Sequence, residues 1–325
     1  MTMKGTGDNM GKTLRNGLLS GVKTTWLLGK IIFPITLIVT LLQYTPILPW
    51  VMEAISPVMR IFGLSGDASI PLVLGNFLNL YAAIGAILSL DLSVKEVFIL
   101  AVMLSFSHNL FIESSVAARV GVKLPVILAV RLGLACVSAI IINLVWHGGS
   151  GIAQYGMAPP LQADPDGWGQ IFMLGLEKAG YGIFQLALIV MPLMLAIQVL
   201  KDLKWLDAFS RWMAPVTRLL GMKENTSMTL ASGLLFGLAL GSAVMIQAVR
   251  EDGVSSRDVT LAMIFLVACH AVVEDTVIFM PLGITGWPLL ALFLIRLITA
   301  ILLTLAVSSL WKPAELVQRK EAKLS

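Results

Sequence analysis

The sequence predicts an all-α, polytopic integral membrane protein, built as an inverted repeat of two five-segment halves. Hydrophobic residues make up 57% of the 325 residues and charged residues only 13%, which is far from the composition of a soluble domain. The mean hydropathy is correspondingly high, at +0.88. Apolar runs of roughly 20 residues recur along nearly the whole chain, and each is long enough to cross a bilayer as a helix. The second half also repeats short motifs of the first half in the same order, which indicates a duplication.

Ten apolar segments are the candidate membrane helices, and two of them are unusual. Segments 47–63 and 204–221 are short and contain Pro57 and Pro215, so tilted, interfacial and re-entrant placements are all open for them. The ten segments are residues 24–44, 47–63, 70–90, 96–119, 123–146, 180–200, 204–221, 227–248, 256–282 and 287–311.

The order of the segments predicts five regions along the chain. A basic N-terminal segment in the cytoplasm is followed by a first membrane repeat. A Gly- and Pro-rich extracytoplasmic linker without Lys or Arg then leads to a second membrane repeat and a basic cytoplasmic tail. The expected ranges of the five regions are 1–23, 24–146, 147–170, 171–311 and 312–325.

The duplication is visible in three pairs of motifs and two later pairs of residues. The first two pairs share one offset of 158 residues, and the third needs a small insertion. An ordered series of this kind indicates duplication rather than chance. The pairs are "FPITLIVTLL" (33–42) with "MPLMLAIQVL" (191–200), "SPVMRIFG" (56–63) with "APVTRLLG" (214–221), "SHNLFIES" (107–114) with "CHAVVEDT" (269–276), Arg131 with Arg296, and Trp146 with Trp311.

The distribution of Lys and Arg predicts the orientation in the membrane. These residues collect near both ends of the chain and in loops such as 119–123, whereas the linker 147–170 has none. Basic loops face the cytoplasm, so both termini are expected on the inner side of a bacterial cytoplasmic (inner) membrane. The basic loop 119–123 matches the uncharged loop 283–287 in the second repeat. The repeats are therefore expected to be inverted, as in many secondary transporters.

Ionisable and amide side chains interrupt two of the apolar segments at matching positions. An ionisable group at the centre of a bilayer costs at least about 2.5 kcal/mol, so it is expected to face a protein interior or an aqueous cavity. On continuous helices, Asn109 and Glu113 would share one face, as would His270 and Glu274. We expect these groups to form a substrate or ion site near mid-membrane, and the alternative is that they only lock helices together. The residues are His108, Asn109, Glu113, His270, Glu274 and Asp275.

The segment that precedes each of these helices is rich in glycine and other small residues. The stretches "GNFLNLYAAIGAI" (75–87) and "GLLFGLALGSAV" (233–244) either permit close helix packing or mark broken or re-entrant helices whose backbone groups coordinate a solute. Asn76 and Asn79 favour a binding role for the first copy, because an amide side chain both donates and accepts hydrogen bonds.

One arginine lies well inside the last segment of each repeat: Arg131 in the first repeat and Arg296 in the second. Snorkelling works best close to an interface, so each arginine is expected to face inward. There it either pairs with the carboxylates or binds an anionic solute, for which the planar guanidinium is well shaped.

A metal site is a further hypothesis for the same central residues. Histidine and carboxylate ligands would suit a divalent ion such as Fe²⁺, Mn²⁺ or Zn²⁺, whereas a His–carboxylate pair also serves as a proton relay or an interhelical lock. No resident cofactor is expected, and a divalent metal or a coupling cation is the candidate bound ion. The candidate ligands are His108, His270, Glu113, Glu274 and Asp275.

Paired Gly-rich segments, each followed by a polar-interrupted helix in a duplicated chain of this size, resemble the nucleoside-recognition or Gate-domain membrane proteins. The resemblance is strongest over residues 55–120 and 213–283. That family includes YjiH-like and spore-maturation SpmA/SpmB-like proteins, and it is related to the Gate regions of concentrative nucleoside transporters and FeoB-type ferrous-iron transporters. The resemblance implies a helical, transporter-like fold and leaves the solute open.

The predicted function is secondary transport of a small polar or charged solute, nucleoside-like or an organic anion, with a proton or cation gradient as the candidate driving force. Two alternatives stay open: a divalent-metal permease of the Fe²⁺ type, and a non-transporting scaffold or assembly factor of the spore-maturation type. The stretch "GLSGD" at 63–67 contains Ser65, the candidate nucleophile of an enzyme, but it is typical of a turn between helices. No enzymatic activity is therefore expected. The expected partners are the lipid bilayer, a solute or ion, and another copy or a partner membrane subunit, but no nucleic acid.

Overall fold

The computed structural model of the protein describes residues 4–155, 165–202, 205–251 and 253–311, and the regular structure in these ranges is helical. The predicted tail 312–325 and part of the predicted linker, 156–164, lie outside the described residues. The α-helices are α1 (Lys4–Gln43), α2 (Ile47–Ile61), α3 (Ser69–Phe77), α4 (Leu80–Ile87), α5 (Val94–Ser107), α6 (Leu110–Arg119), α7 (Leu124–Val145), α8 (Trp168–Asp202), α9 (Trp205–Leu219), α10 (Ser227–Glu251), α11 (Ser256–Cys269), α12 (Glu274–Val277) and α13 (Trp287–Leu310).

Several helical segments are long and apolar enough to cross a membrane, which confirms the predicted all-α, multi-pass fold class. The segments through α5–α6 and α11–α12 bury 78% of their most apolar stretch, whereas those in α7 and α13 bury 22%. The two segments that carry the histidines are therefore interior segments, and α7 and α13 present apolar surface outward. The five segments found among the described residues are Val94–Arg119, Leu124–Val145, Trp168–Ala196, Ser256–Val277 and Trp287–Leu310.

The chain forms two compact units, each assembled from three separate stretches. The first unit comprises the described residues of Met1–Leu110, Leu134–Lys204 and Glu274–Leu292, and the second comprises those of Phe111–Gly133, Trp205–Val273 and Phe293–Ser325.

In the first unit, α1 and α8 pack against each other in antiparallel directions, and both begin more than ten residues earlier than the sequence predicts. Thr13 donates a hydrogen bond to the carboxylate of Asp202. A Cβ added at Gly21 would lie only 2.7 Å from the sulfur of Met191, so glycine allows the two backbones to approach closely. The sequence prediction missed these extra turns because it placed helices only on the apolar segments. A helix that packs on a neighbour extends beyond its most apolar stretch.

Equivalent helices of the two repeats begin with the same local structure. Ser93 caps α5 by accepting a hydrogen bond from the amide of Glu96, and Glu96 completes a capping box. Ser255 caps α11 by accepting from the amide of Asp258. A short polar side chain followed three residues later by a carboxylate is a strong helix-start signal, and both copies keep it.

The third residue of this motif in each copy is basic and joins the start of its helix to the end of another. In the first unit, Lys95 donates to the side-chain and backbone oxygens of Asn143, at 2.9 and 3.1 Å. In the second unit, Arg257 donates to both oxygens of Ser308, at 3.0 and 3.2 Å, and to the carbonyl of Gly221. These local structures correspond pairwise, whereas the inverted orientation of the repeats stays a prediction.

Candidate functional site

In the first unit, two helix breaks are joined by one hydrogen bond. The helix α3 ends before Asn79, whose backbone is extended and whose side chain accepts from the amide of Ala82 to start α4. The carbonyl of Gly75, which a continuous helix would pair with residue 79, instead accepts from the amide of Asn109 at 2.8 Å. Asn109 has a positive φ of 52°, so the chain breaks directly after His108.

The second unit contains the equivalent arrangement. Gly237 interrupts α10 with a φ of 72° and a ψ of 178°. The carbonyl of Gly233, four residues earlier, accepts from the amide of Ala271 at 3.1 Å. Ala271 has a φ of 39°, and it directly follows His270 at the end of α11. The structure thus has broken helices in both Gly-rich segments, whereas coordination of a solute by their backbone groups stays a prediction.

The expectation of continuous helices through the histidines is wrong. A spacing of four does not place Asn109 and Glu113 on one face, because Asn109 is a left-handed residue between α5 and α6. The same holds for His270 and Glu274, which are separated by the break between α11 and α12. The physical reason is that the amide after each histidine is diverted to a carbonyl of the Gly-rich segment.

Both histidines are buried and held in the same way. The Nδ1 atom of His108 lies 2.6 Å from the carbonyl of Leu104, and Nδ1 of His270 lies 2.8 Å from the carbonyl of Leu266. A carbonyl oxygen can only accept a hydrogen bond, so Nδ1 is the protonated nitrogen in both rings. This leaves each Nε2 as the ring atom available to other groups.

In the second unit, Glu113 is the centre of a buried ionic cluster. Its Oε2 atom lies 2.8 Å from Nη2 of Arg131 and 3.2 Å from Nε2 of His270. The three residues are between 0% and 4% exposed. A carboxylate that meets a guanidinium and an imidazole inside a membrane segment is a candidate site for a proton, an ion or a polar solute.

The two arginines occupy matching positions in the repeats, and both donate hydrogen bonds inside the second unit. Arg131 pairs with a carboxylate, as predicted, and Arg296 donates from Nη2 to the carbonyl of His270 at 2.7 Å. Both are 0% exposed, which excludes snorkelling. Arg296 therefore holds the backbone at the helix break, whereas a role in binding an anionic solute stays a prediction for both.

In the first unit, Tyr81 donates a hydrogen bond to Oε1 of Glu274 at 3.2 Å. Sequence reasoning missed Tyr81, although a phenol two residues after Asn79 in an apolar segment was a signal that could have found it. In the same unit, a ring nitrogen of His108 and a carboxylate oxygen of Asp275 lie within 4.8 Å of each other. Polar groups of the Gly-rich segment and of α12 are thus brought together.

The two predicted asparagines make local hydrogen bonds. Asn79 caps α4, and Asn76 donates from Nδ2 to the carbonyl of Leu72 at 2.7 Å. The Oδ1 atom of Asn76 is buried and has no hydrogen-bond partner among the described residues. Asn76 therefore retains an unused acceptor, whereas the oxygen of Asn79 is used by the backbone.

The five candidate metal ligands divide between the units. Glu113 and His270 belong to the second unit, and His108, Glu274 and Asp275 belong to the first. The complete five-residue metal site stays a prediction.

Replacing Ala271 by glycine is expected to raise the free energy of unfolding by up to about 1 kcal/mol, because a positive φ strains any residue with a Cβ. Ala268, inside α11, is the matched control, and its replacement by glycine is expected to lower that free energy by about 1 kcal/mol. Denaturant unfolding of both purified variants in detergent makes the comparison. Equal losses at the two positions would show that the left-handed backbone at Ala271 carries no strain.

Broken helices, a buried ionic cluster and long apolar segments define the class: a multi-pass, all-α membrane protein with ionisable groups inside its membrane segments. The family model described as nucleoside recognition, or Gate, matches residues 25–121 and again residues 183–285. The chain therefore belongs to the nucleoside-recognition (Gate) family, which confirms the resemblance seen in its motifs. The match falls once in each half, in agreement with the duplication.

Two similar proteins add detail. The chain is 64% identical over 303 residues to the uncharacterized membrane protein YvoD of Bacillus subtilis (strain 168), covering 93% of this chain and 96% of that protein. A solved structure of CNTnw, with two substitutions and in an outward-facing state, is 13% identical with a TM-score of 0.43, and the match covers 94% of this chain and 87% of that one. Membership in the Gate family supports a membrane transporter.

Proposed function

We propose that the protein is a secondary transporter for a small polar or charged solute, of the nucleoside-like or organic-anion class, driven by a proton or cation gradient. Its site would lie near mid-membrane where the two repeats meet, in a bacterial cytoplasmic membrane with both termini inside. The observation that carries this proposal is the buried contact of Glu113 with Arg131 and His270.

This cluster is a costly way to hold helices together. Hydrophobic residues of similar volume often stabilise a protein as much as a buried ion pair does, or more. Ionisable residues inside membrane segments, in contrast, commonly mark pathways for solutes, ions or protons. The burial of Arg131 and Glu113, at 0% and 4% exposed, therefore favours transport over a scaffold role.

The helix breaks support a solute site for a second reason. Discontinuous helices in transporters present backbone groups and helix ends to the solute. The breaks at Asn79 and Gly237 would supply such groups in the two copies. The unused oxygen of Asn76 and the hydroxyl of Tyr81 would add hydrogen-bonding groups with no net charge.

A divalent-metal permease is the second candidate. It is favoured by the proximity of His108 and Asp275, whose potential ligand atoms lie within 4.8 Å. Imidazole and carboxylate ligands suit Fe²⁺, Mn²⁺ and Zn²⁺. The two candidates differ in the solute that they move, so one uptake experiment can separate them.

Uptake by proteoliposomes tests both candidates. Vesicles with an imposed pH or Na⁺ gradient are offered uridine, adenosine, succinate and Mn²⁺ in separate assays. We expect a nucleoside or an organic anion to accumulate, and Glu113→Gln to lower its uptake by about ten- to a hundredfold, since a hydrogen bond to a charged group contributes ~1.5–3 kcal/mol.

Two variants keep this result interpretable. Glu53→Gln changes an exposed carboxylate of α2 and is expected to leave uptake unchanged. Tyr81→Phe removes one hydroxyl. This variant is expected to fold like wild type but to transport the solute more slowly. Accumulation of Mn²⁺ alone would select the metal permease, and no uptake of any solute by folded protein would select the scaffold.

A further inference from the structure

The helix α9 divides its surface into three sectors. At 100° per residue, Ser210, Met213 and Thr217 fall on one side, and all three are buried. The hydroxyl of Ser210 lies 3.0 Å from the hydroxyl of Ser227 at the start of α10. This narrow side is the one by which α9 packs on its own unit.

A second sector is apolar and faces away from the unit. Trp205 is 55% exposed, Trp212 is 69% exposed and Leu219 is 77% exposed. The rings of Phe209 and Trp212 lie side by side, with centroids 5.8 Å apart, and Val216 completes the sector. In water, a contiguous face with two tryptophans and a leucine would be unfavourable.

The third sector is charged and exposed. It consists of Asp207, Arg211 and Arg218, which fall within about 40° of one another around the helix axis. Arg218 forms an exposed ion pair with Glu224 at 3.0 Å. Both signs of charge are therefore present in this sector. Electrostatic attraction to an oppositely charged partner does not account for the exposed apolar sector beside it.

We infer that α9 lies in the membrane–water interface, parallel to the bilayer plane, with its apolar sector in the lipid and its charged sector towards water and headgroups. The helix has 15 residues and is about 22 Å long, too short for a hydrocarbon core of ~30 Å. Tryptophan is enriched at headgroup level, and amphipathic helices of this kind insert one face into the headgroup–acyl boundary. The partner is a phospholipid bilayer surface.

The equivalent helix α2 shows the same layout in the part that can be compared. Val58 and Ile61 correspond to Val216 and Leu219, and they are 55% and 57% exposed. Met59 corresponds to the buried Thr217 and is 3% exposed. Arg60, the equivalent of Arg218, is exposed. A face that recurs in both repeats is consistent with two interfacial helices, and it does not depend on the proposed transport activity.

Spin labels read by power saturation against oxygen and a nickel chelate measure the position of α9. Single cysteines are placed along the helix in full-length protein with Cys136→Ala and Cys269→Ala, reconstituted in phosphatidylglycerol–phosphatidylethanolamine vesicles. Labels at 205, 212 and 219 are expected at one common depth, about 5–10 Å below the headgroup boundary. Labels at 207, 211 and 218 are expected to be accessible to the nickel chelate.

The exposed face of α13 is the matched control. Labels at Ile298, Leu302 and Leu310 should change depth by about 18 Å, because a spanning helix rises 1.5 Å per residue. A steady change of about 21 Å between 205 and 219 would overturn the inference by making α9 a spanning helix. Low accessibility to both reagents along its apolar sector would also overturn it, since a protein partner would then cover that sector.

Discussion

Replacing Arg131 by methionine is expected to lower the free energy of unfolding by about 3–5 kcal/mol, one of the two largest effects in this chain. The change removes the guanidinium that lies 2.8 Å from Oε2 of Glu113 and leaves the carboxylate buried without it. Unfolding of purified protein in mixed micelles by increasing SDS measures the loss. Arg119→Met, at the exposed end of α6, is the matched control and is expected to stay within about 0.5 kcal/mol of wild type.

A double variant separates the cost of a broken pair from the contribution of the pair. Combining Arg131→Met with Glu113→Gln removes both charges and is expected to recover much of the lost stability, with a coupling energy of roughly 1–3 kcal/mol. A double variant that is no more stable than Arg131→Met would contradict an ionic contact between the two residues. If the double variant is stable but does not transport, the pair serves transport and not cohesion.

Gly237→Ala is expected to lower the free energy of unfolding by about 1–3 kcal/mol and to abolish most transport. The φ of 72° with a ψ of 178° belongs to a region that is essentially restricted to glycine. An added Cβ would also lie 3.1 Å from the Cβ of Ala271 and 3.7 Å from Cδ2 of His270. The substitution therefore strains the break in α10 and presses on the residues that follow α11.

The matched control for this prediction is Gly180→Ala in α8. A Cβ at Gly180 meets nothing within 4 Å, and alanine in a helix interior is favoured over glycine by up to about 1 kcal/mol. Unfolding in detergent and uptake by proteoliposomes are measured for both variants. Equal stability of the two would show that residue 237 tolerates a side chain and that the break is not obligatory.

The buried charges were predictable from the sequence because their cost in lipid is a property of each residue and its apolar surroundings. Arg131, Arg296, His108 and His270 stand out in runs that are otherwise apolar, and all four are buried. Pairing of an inward-facing arginine with a carboxylate was one of the two predicted outcomes, but only the structure identified Glu113 as the partner of Arg131. That Arg296 donates to the backbone carbonyl of His270 could not be inferred, because every carbonyl is equivalent in the sequence.

The amino-acid sequence alone determined the all-α membrane class and the matched motifs, because hydrophobic content and motif order are local properties of the chain. Only the tertiary structure decided where the central helices break. Asn109 and Ala271 leave the helix because their amides meet the carbonyls of Gly75 and Gly233, which are distant in sequence. The contact of Tyr81 with Glu274 arises in the same way. Hydrogen bonds to distant segments compete with the hydrogen bonds of the local helix. The periodicity of hydrophobic residues along the chain does not predict which of the two forms.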